Sequence, residues 1–334
     1  MKRLRTAVIG LGRAGTVHAR TLAALPGIDL VALADPDPAA RAAFPGHRTA
    51  SGLPELLTLD LDYCVIATPT ATHEPYALAL ADAGTPALIE KPLAPTAEAG
   101  WRIADAFARA GVVATVGHCE RHQAPVAELA RRLHAGEFGE LWQLTTRRQG
   151  PYSGRILDVG VALDLVVHDV DLAAWLAGQP VASVTAAARS LAGPYEDTVT
   201  AVARLHGGVL AHHHADWITP FTHRIIQAHT PAGVLTADTV AGTLTHHTNA
   251  AAPAAPGVFR GVLAGQTRRI ALPEREAPFA VEHRLMRDAL LGGADGALVT
   301  LDDGAAAVAV TEALLTAAAT GRAAAVRRRQ PAPA

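Results

Sequence analysis

The chain opens on a short apolar run ending in Ala7-Val8-Ile9-Gly10, then carries a helix-spaced stretch as far as Leu25 and stops at Pro26-Gly27. An uninterrupted apolar run of this length predicts a strand buried on both faces, and the stop after it marks a helix end. The alternation then repeats. Ile28 to Ala34, Tyr63 to Ala67, Pro86 to Ile89 and Val112 to Val116 read as further strands, with helices predicted from about His73 to Ala83 and from Ala97 to Ala110. Strands alternating with helices predict a parallel, doubly wound sheet over residues 1–120, and residues 121–330 are expected to form a second domain.

Beyond residue 120 the period changes. Thr198 to Arg204 and Arg224 to His229 alternate with period two, which predicts half-buried strands in a sheet with a face that needs cover. His212-His213-His214 reads as part of a strand; consecutive side chains there point to opposite faces, so the three cannot converge on one ion, and no metal site is expected. His246-His247 reads the same way. Asp164, His168, Asp171 and Trp175 recur at helical spacing as one polar and aromatic stripe amid Ala, Val and Leu. Val159 to Val167 also alternates like a strand, so periodicity alone leaves helix and strand both open there.

Between the first strand and helix stands Gly10-Leu11-Gly12-Arg13-Ala14-Gly15. Gly10 permits the tight turn, Gly12 lets a diphosphate approach the backbone, and Gly15 lets helix and strand pack closely. Unpaired N–H groups at the helix start then favour the phosphate charge. Asp35 ends the second strand, where a ribose-binding acid belongs, although it also begins an Asp-Pro-Asp-Pro turn. A carboxylate at that place takes ribose hydroxyls and repels a 2'-phosphate, which favours NAD, with NADP as the alternative. Ligands of doubly wound sheets lie beyond the carboxyl ends of the strands, so Thr68-Pro69-Thr70, Glu90-Lys91-Pro92 and Gly117-His118 should border one crevice.

Composition narrows the classes further. Half of the 334 residues are hydrophobic, 18% are charged and the formal net charge is -2, a globular balance with no pull toward nucleic acid or an anionic membrane. Arg327-Arg328-Arg329 is the one basic cluster and reads as a frayed, solvated terminus. The first residues run straight into a strand without a signal-peptide pattern, no apolar run reaches the ~18 residues of a membrane span, and Cys64 and Cys119 offer no disulfide framework. The expected compartment is the cytoplasm.

Gly10-x-Gly12-x-x-Gly15, Thr68-Pro69 with His73, and Glu90-Lys91-Pro92-Leu93-Ala94 together resemble the family of glucose-fructose oxidoreductase, inositol dehydrogenase and rhizopine catabolism proteins. Asp164-x-x-x-His168 matches that family's catalytic pair, and Ala305 to Val326, with Thr320-Gly321-Arg322, resembles its last helix and exit. The resemblance covers essentially the whole chain. It implies an α/β protein: an N-terminal Rossmann domain, then an α+β domain on an open, mostly antiparallel sheet whose exposed face pairs subunits into a homodimer or homotetramer. It also implies a helix for the Asp164 stripe and a cis Lys91–Pro92 bond. Gly117-His118-Cys119-Glu120-Arg121, Asp158-Val159-Gly160 and Trp217-Ile218-Thr219-Pro220 look most like the branch that oxidises nucleotide sugars such as UDP-N-acetylglucosamine. His122, where that branch usually has Phe, and His212 to His214 depart from it.

The implied reaction moves hydride between nicotinamide and a secondary hydroxyl or keto group of a sugar, nucleotide sugar or cyclitol. It needs a base near neutrality and a cation beside the developing alkoxide. His168 is the expected acid/base and Lys91 its electrostatic partner, while Asp164 either orients the histidine or binds a substrate hydroxyl. Gly10, Gly12, Arg13, Ala14, Gly15, Asp35, Thr68, Pro69, His73, Glu90 and Lys91 are the expected cofactor contacts. Arg121, facing a phosphate or carboxylate, Asp171 and Trp217 are the expected substrate contacts. Two alternatives stay open: a glycoside-cleaving relative that oxidises its substrate transiently, and a dinucleotide-sensing regulator, against which the intact Lys91, Asp164 and His168 argue.

Overall fold

The computed structural model describes residues 3–152, 154, 159–191, 193–250, 263–293 and 298–329; Asp158 lies outside them. The chain divides into two compact units, one of Met1–Cys119 with Glu276–Ala309 and Arg328–Ala334, the other of Glu120–Arg275 with Val310–Arg327. Two late segments thus pack with the first unit, which a single cut at residue 120 leaves with the second.

In the first unit, β1 (Leu4–Ile9), α1 (Arg13–Ala24), β2 (Ile28–Ala34), α2 (Pro38–Ala42), β3 (Thr49–Ala50), α3 (Leu53–Leu56), β4 (Tyr63–Ile66), α4 (His73–Asp82), β5 (Ala87–Glu90), α5 (Ala97–Ala110) and β6 (Ala114–Gly117) follow in order. The strands pair in parallel as β3-β2-β1-β4-β5-β6, the doubly wound order with its switch point between β1 and β4. Every residue of β4 and β5 is buried, which is why these strands read as plain apolar runs. Thr96 caps α5 by accepting from the Ala99 N–H, and Gly111 ends it in the left-handed conformation. One layer of core gathers Val8, Leu22, Leu33 and Leu88; the other gathers Ile9, Ile66, Ile89 and Phe107.

The second unit begins with α6 (Ala124–His134) and β7 (Gln143–Pro151), followed by α7 (Val167–Ala177), β8 (Val181–Arg189), β9 (Thr198–Leu205), β10 (Leu210–Asp216), β11 (Ile218–Thr230), β12 (Gly233–Asp238), β13 (Thr243–Ala250) and β14 (Leu263–Ile270). After these come α8 (Pro278–Leu290), which belongs to the first unit, then α9 (Leu301–Thr320) and β15 (Ala324–Ala325). The nine-stranded sheet runs β14-β13-β12-β11-β7-β10-β9-β8-β15. Only the β7–β10 pair is parallel, so the expected open, mostly antiparallel sheet is present. In β10 the buried His213 meets the Thr146 hydroxyl at 2.8 Å, while His212 and His214 lie half-exposed on the opposite face.

The basic cluster is not a frayed end. Arg327 pairs with Glu312 at 2.8 Å, and Arg329 pairs with Asp105 and Asp302, because β15 pairs with β8 and keeps the chain down as far as Ala325. No described helix is long and apolar enough to cross a membrane.

Candidate active site

Gly10 leaves β1 with φ +88°, and a Cβ there would lie 2.5 Å from the Ala67 carbonyl oxygen; a Cβ on Gly15 would lie 1.7 Å from the Gly10 oxygen. A Cβ on Gly12 would meet nothing within 4 Å. Sterics therefore demand glycine at the first and third places, while the second leaves its side of the turn open. α1 starts at the exposed Arg13 with no side-chain cap and no acid in its first turn, so its leading N–H groups have no side-chain acceptor. The turn fits a dinucleotide diphosphate, which supplies that acceptor.

Asp35 serves the turn as well as its own strand. Its Oδ2 accepts from the Leu11 N–H at 2.7 Å and its Oδ1 from the Asp37 N–H at 2.8 Å. A carboxylate has about four acceptor sites, so capacity for ribose hydroxyls remains.

Past β4, the Thr72 hydroxyl lies 2.7 Å from Thr68 Oγ1 and 2.7 Å from the Pro69 carbonyl. The buried His73 ring sits between two carbonyl oxygens, Thr68 O at 2.9 Å and Pro92 O at 3.0 Å. Burial lowers its pKa against the pull of those carbonyls and Glu90; a neutral ring donates to one carbonyl only, and both bonds together need both ring protons. His73 ties the ends of β4 and β5 together through main chain.

Glu90 ends β5, buried, and Gly117 beside it has no Cβ, which would stand 3.0 Å from Glu90 Oε1. Oε2 accepts from the Lys91 N–H at 3.0 Å, and Oε1 meets His18 Nε2 at 2.8 Å. Burial pushes the Glu90 carboxyl upward, but the His18 bond and charge together with Lys91 outweigh it and hold the pKa below the ordinary value. An ionised Glu90 only accepts, so His18 Nε2 carries the shared proton. His18 Nδ1 continues to His283 Nε2 at 2.9 Å, and His283 Nδ1 to the Tyr63 hydroxyl at 3.2 Å. Burial keeps His283 neutral and Tyr63 a phenol. The adjacent Glu282 is buried too, and its pKa is raised by burial and by Glu90. The result is a buried polar chain running from α8 through α1 to the strand end that carries the half-buried Lys91, whose bond to Pro92 is cis.

In the second unit the Asp164 stripe is helical, but Ala162–Val166 form a π-helical turn before α7 begins. Such turns insert an extra residue into the ladder and occur mostly at functional sites. Asp164 is half-buried in that turn and His168 is buried in the first turn of α7. Further along, Arg121 spans Asp171 with two bonds, Nε to Oδ2 at 2.9 Å and Nη2 to Oδ1 at 2.5 Å, and its guanidinium carbon stands 5.3 Å from the Trp175 ring centre. Asp171 and Trp175 thus hold Arg121. Trp217 lies between β10 and β11 with its ring 5.3 Å from that of Tyr152.

Sequence reasoning passed over His18, His283, Arg148 and Asp169. Arg148, buried on β7, bonds Asp169 at 2.8 Å and Glu120 at 3.1 Å. A signal existed for His18: it lies three residues past Gly15, on the buried face of α1. Nothing local marked the others, whose partners are distant in sequence.

Two models of one family match the chain: residues 4–118 match "Oxidoreductase family, NAD-binding Rossmann fold", and residues 126–248 match the "GFO/IDH/MocA C-terminal domain". The chain is 36% identical over 215 residues to inositol 2-dehydrogenase 2 of Saccharopolyspora erythraea, covering 61% of this chain and 63% of that protein. It is 31% identical over 211 residues to UDP-N-acetylglucosamine 3-dehydrogenase of Acidithiobacillus ferrooxidans, covering 63% and 66%. These matches span just under two thirds of the relatives' lengths. Among solved structures, GenD2 from gentamicin A biosynthesis in complex with NAD superposes with a TM-score of 0.82 at 29% identity, covering 98% of this chain and 97% of that one. With both family domains matched in order, the chain belongs to the Gfo/Idh/MocA oxidoreductase family, and its residues 4–118 form that family's NAD-binding Rossmann domain.

Proposed function

We propose that the protein is an NAD-dependent dehydrogenase moving hydride between nicotinamide and a secondary hydroxyl or keto group of a sugar, nucleotide sugar or cyclitol. The observation that carries this reading is the buried His168 next to the π-helical turn of Asp164, in a chain whose other unit holds an uncapped glycine turn. When bound, the nicotinamide accepts the hydride of the carbinol carbon. His168 takes the hydroxyl proton, and the C–O bond gains its second component as the C–H bond breaks. The Lys91 ammonium stabilises the alkoxide as charge develops, and Asp164 fixes the orientation of the histidine. Family relatives named for inositol and for UDP-N-acetylglucosamine support the substrate range. Incubating the protein with NAD and a panel of sugars, cyclitols and nucleotide sugars tests the proposal by NADH absorbance; NADH binding without oxidation of any of them would favour the sensing regulator.

Asp35 places negative charge where a 2'-phosphate would lie. NADH is therefore expected to bind about tenfold more tightly than NADPH, or ~1.4 kcal/mol, in a fluorescence titration. Asp35→Ala should narrow that gap; equal affinities in the wild type would remove the cofactor assignment. We place the protein in the cytoplasm, where cysteines outside any disulfide, as Cys64 and Cys119 are, are at home.

We further propose a homodimer or homotetramer. β9 alternates buried and exposed positions, and Val202, Ile218 and Phe221 are exposed at 42%, 55% and 62%. Light scattering at micromolar concentration should give at least twice the chain mass, and a monomer there would contradict the assembly.

A further inference from the structure

Arg148 and Arg224 are directly paired across the antiparallel β7–β11 ladder. Side chains paired in this way share one face with Cβ atoms about 4.5–5.5 Å apart, a placement in which like charges destabilise the sheet. Asp169 and Glu120 answer the Arg148 charge, yet its Nη1 is buried without a hydrogen-bond partner among the described residues. The side chain of Arg224, half-buried, makes no hydrogen bond or ion pair among the described residues. Burial and then Arg148 lower its pKa against the pull of Glu120, Asp169 and Asp164. Arg121, the arginine that the sequence nominates for a substrate anion, is held by Asp171.

An oxyanion answers two neighbouring guanidinium groups by N–H···O bonds and by charge, whereas a neutral oxygen accepts the bonds without answering the charge. We propose that Arg148 and Arg224 form a seat for an oxyanion carried by the substrate, the carboxylate of a sugar acid or the phosphate of a sugar phosphate. Asp169, which bonds Arg148 at 2.8 Å, follows His168 directly on α7, so the seat is tied to the helix that carries the proposed acid/base group. The inference rests on the reading of Asp164 and His168 as an active site, and it narrows the substrate class: neutral cyclitols supply acceptors but no charge to the arginine pair.

The test is ligand binding to the full chain by calorimetry and thermal shift at constant ionic strength, with no turnover required. The probes are inorganic phosphate, glucuronate and glucose 6-phosphate, with glucose and myo-inositol as neutral counterparts. Glucuronate or glucose 6-phosphate should bind at least roughly tenfold more tightly than glucose, and the pattern between them identifies carboxylate or phosphate as the source. Arg224→Gln should abolish that preference while NADH affinity stays within about twofold; Arg224→Lys, which keeps the charge and loses the fork, should fall between. Glucose bound as well as the anions, a preference unchanged in Arg224→Gln, or no anion bound by about 10 mM overturns the seat. If Arg224→Gln fails to fold, the wild-type preference and Arg224→Lys decide. A chain that binds the anions but oxidises nothing keeps the seat and loses the dehydrogenase reading.

Discussion

His168→Ala and Lys91→Ala are each expected to lower kcat by ~100-fold or more while NADH affinity stays within a few-fold, the usual scale for removing a general base or a group that stabilises developing charge. The separation follows from where the groups lie. In the proposed function the dinucleotide would be held at the glycine turn and the start of α1, where the N–H groups have no side-chain acceptor among the described residues, whereas Lys91 stands past β5 and His168 on α7. Neither side chain is part of the phosphate cradle. Asp164→Asn reports on the histidine: a mild loss assigns the aspartate to substrate binding, and a loss near that of His168→Ala assigns it to fixing the tautomer. The measurements are steady-state kcat with the substrate found by screening, and NADH binding by fluorescence. Near-normal turnover in both alanine variants would falsify the acid/base assignment.

The candidate site was legible in unequal parts, and the division follows the distance over which each feature is built. The glycine turn was readable from its spacing: Gly15 is forced by Gly10 five residues before it, although Gly10 itself is forced by Ala67 past the distant β4. The same holds for the strands of the Rossmann sheet, buried on both faces and therefore unpatterned. Asp164 was readable as a residue but its π-helical turn was not, because one inserted residue in a helix changes the hydrogen-bond ladder without changing the composition. The His18–Glu90 bond was hidden for another reason. It needs α1 and β5 side by side, and its support from His283 and Tyr63 needs α8, more than 200 residues away, to return to the first unit. The Arg148–Arg224 pair depends on the register of β7 against β11, and a shift of one residue would send one arginine to the opposite face. Periodicity gave the strands' existence but not their partners.

The Arg121–Asp171 pair supplies the second large effect, this time on stability. Arg121 and Asp171 are 8% and 3% exposed, and the two-point bond between them is covered by Trp175. Removing the carboxylate by Asp171→Leu leaves a buried guanidinium without its bidentate partner, which is expected to cost ~3 kcal/mol of folding free energy. Replacing both, Arg121→Met with Asp171→Leu, exchanges the ion pair for apolar packing of similar volume and should return most of that loss. The measurement is a double-mutant cycle on urea unfolding of the second unit, followed by tryptophan fluorescence. An ion pair that serves structure gives a strongly non-additive cycle and a largely intact KM in the double variant. Additive losses of ordinary surface size, together with a KM raised in each single variant at unchanged stability, would return Arg121 and Asp171 to the substrate-binding role that their place in the sequence suggests.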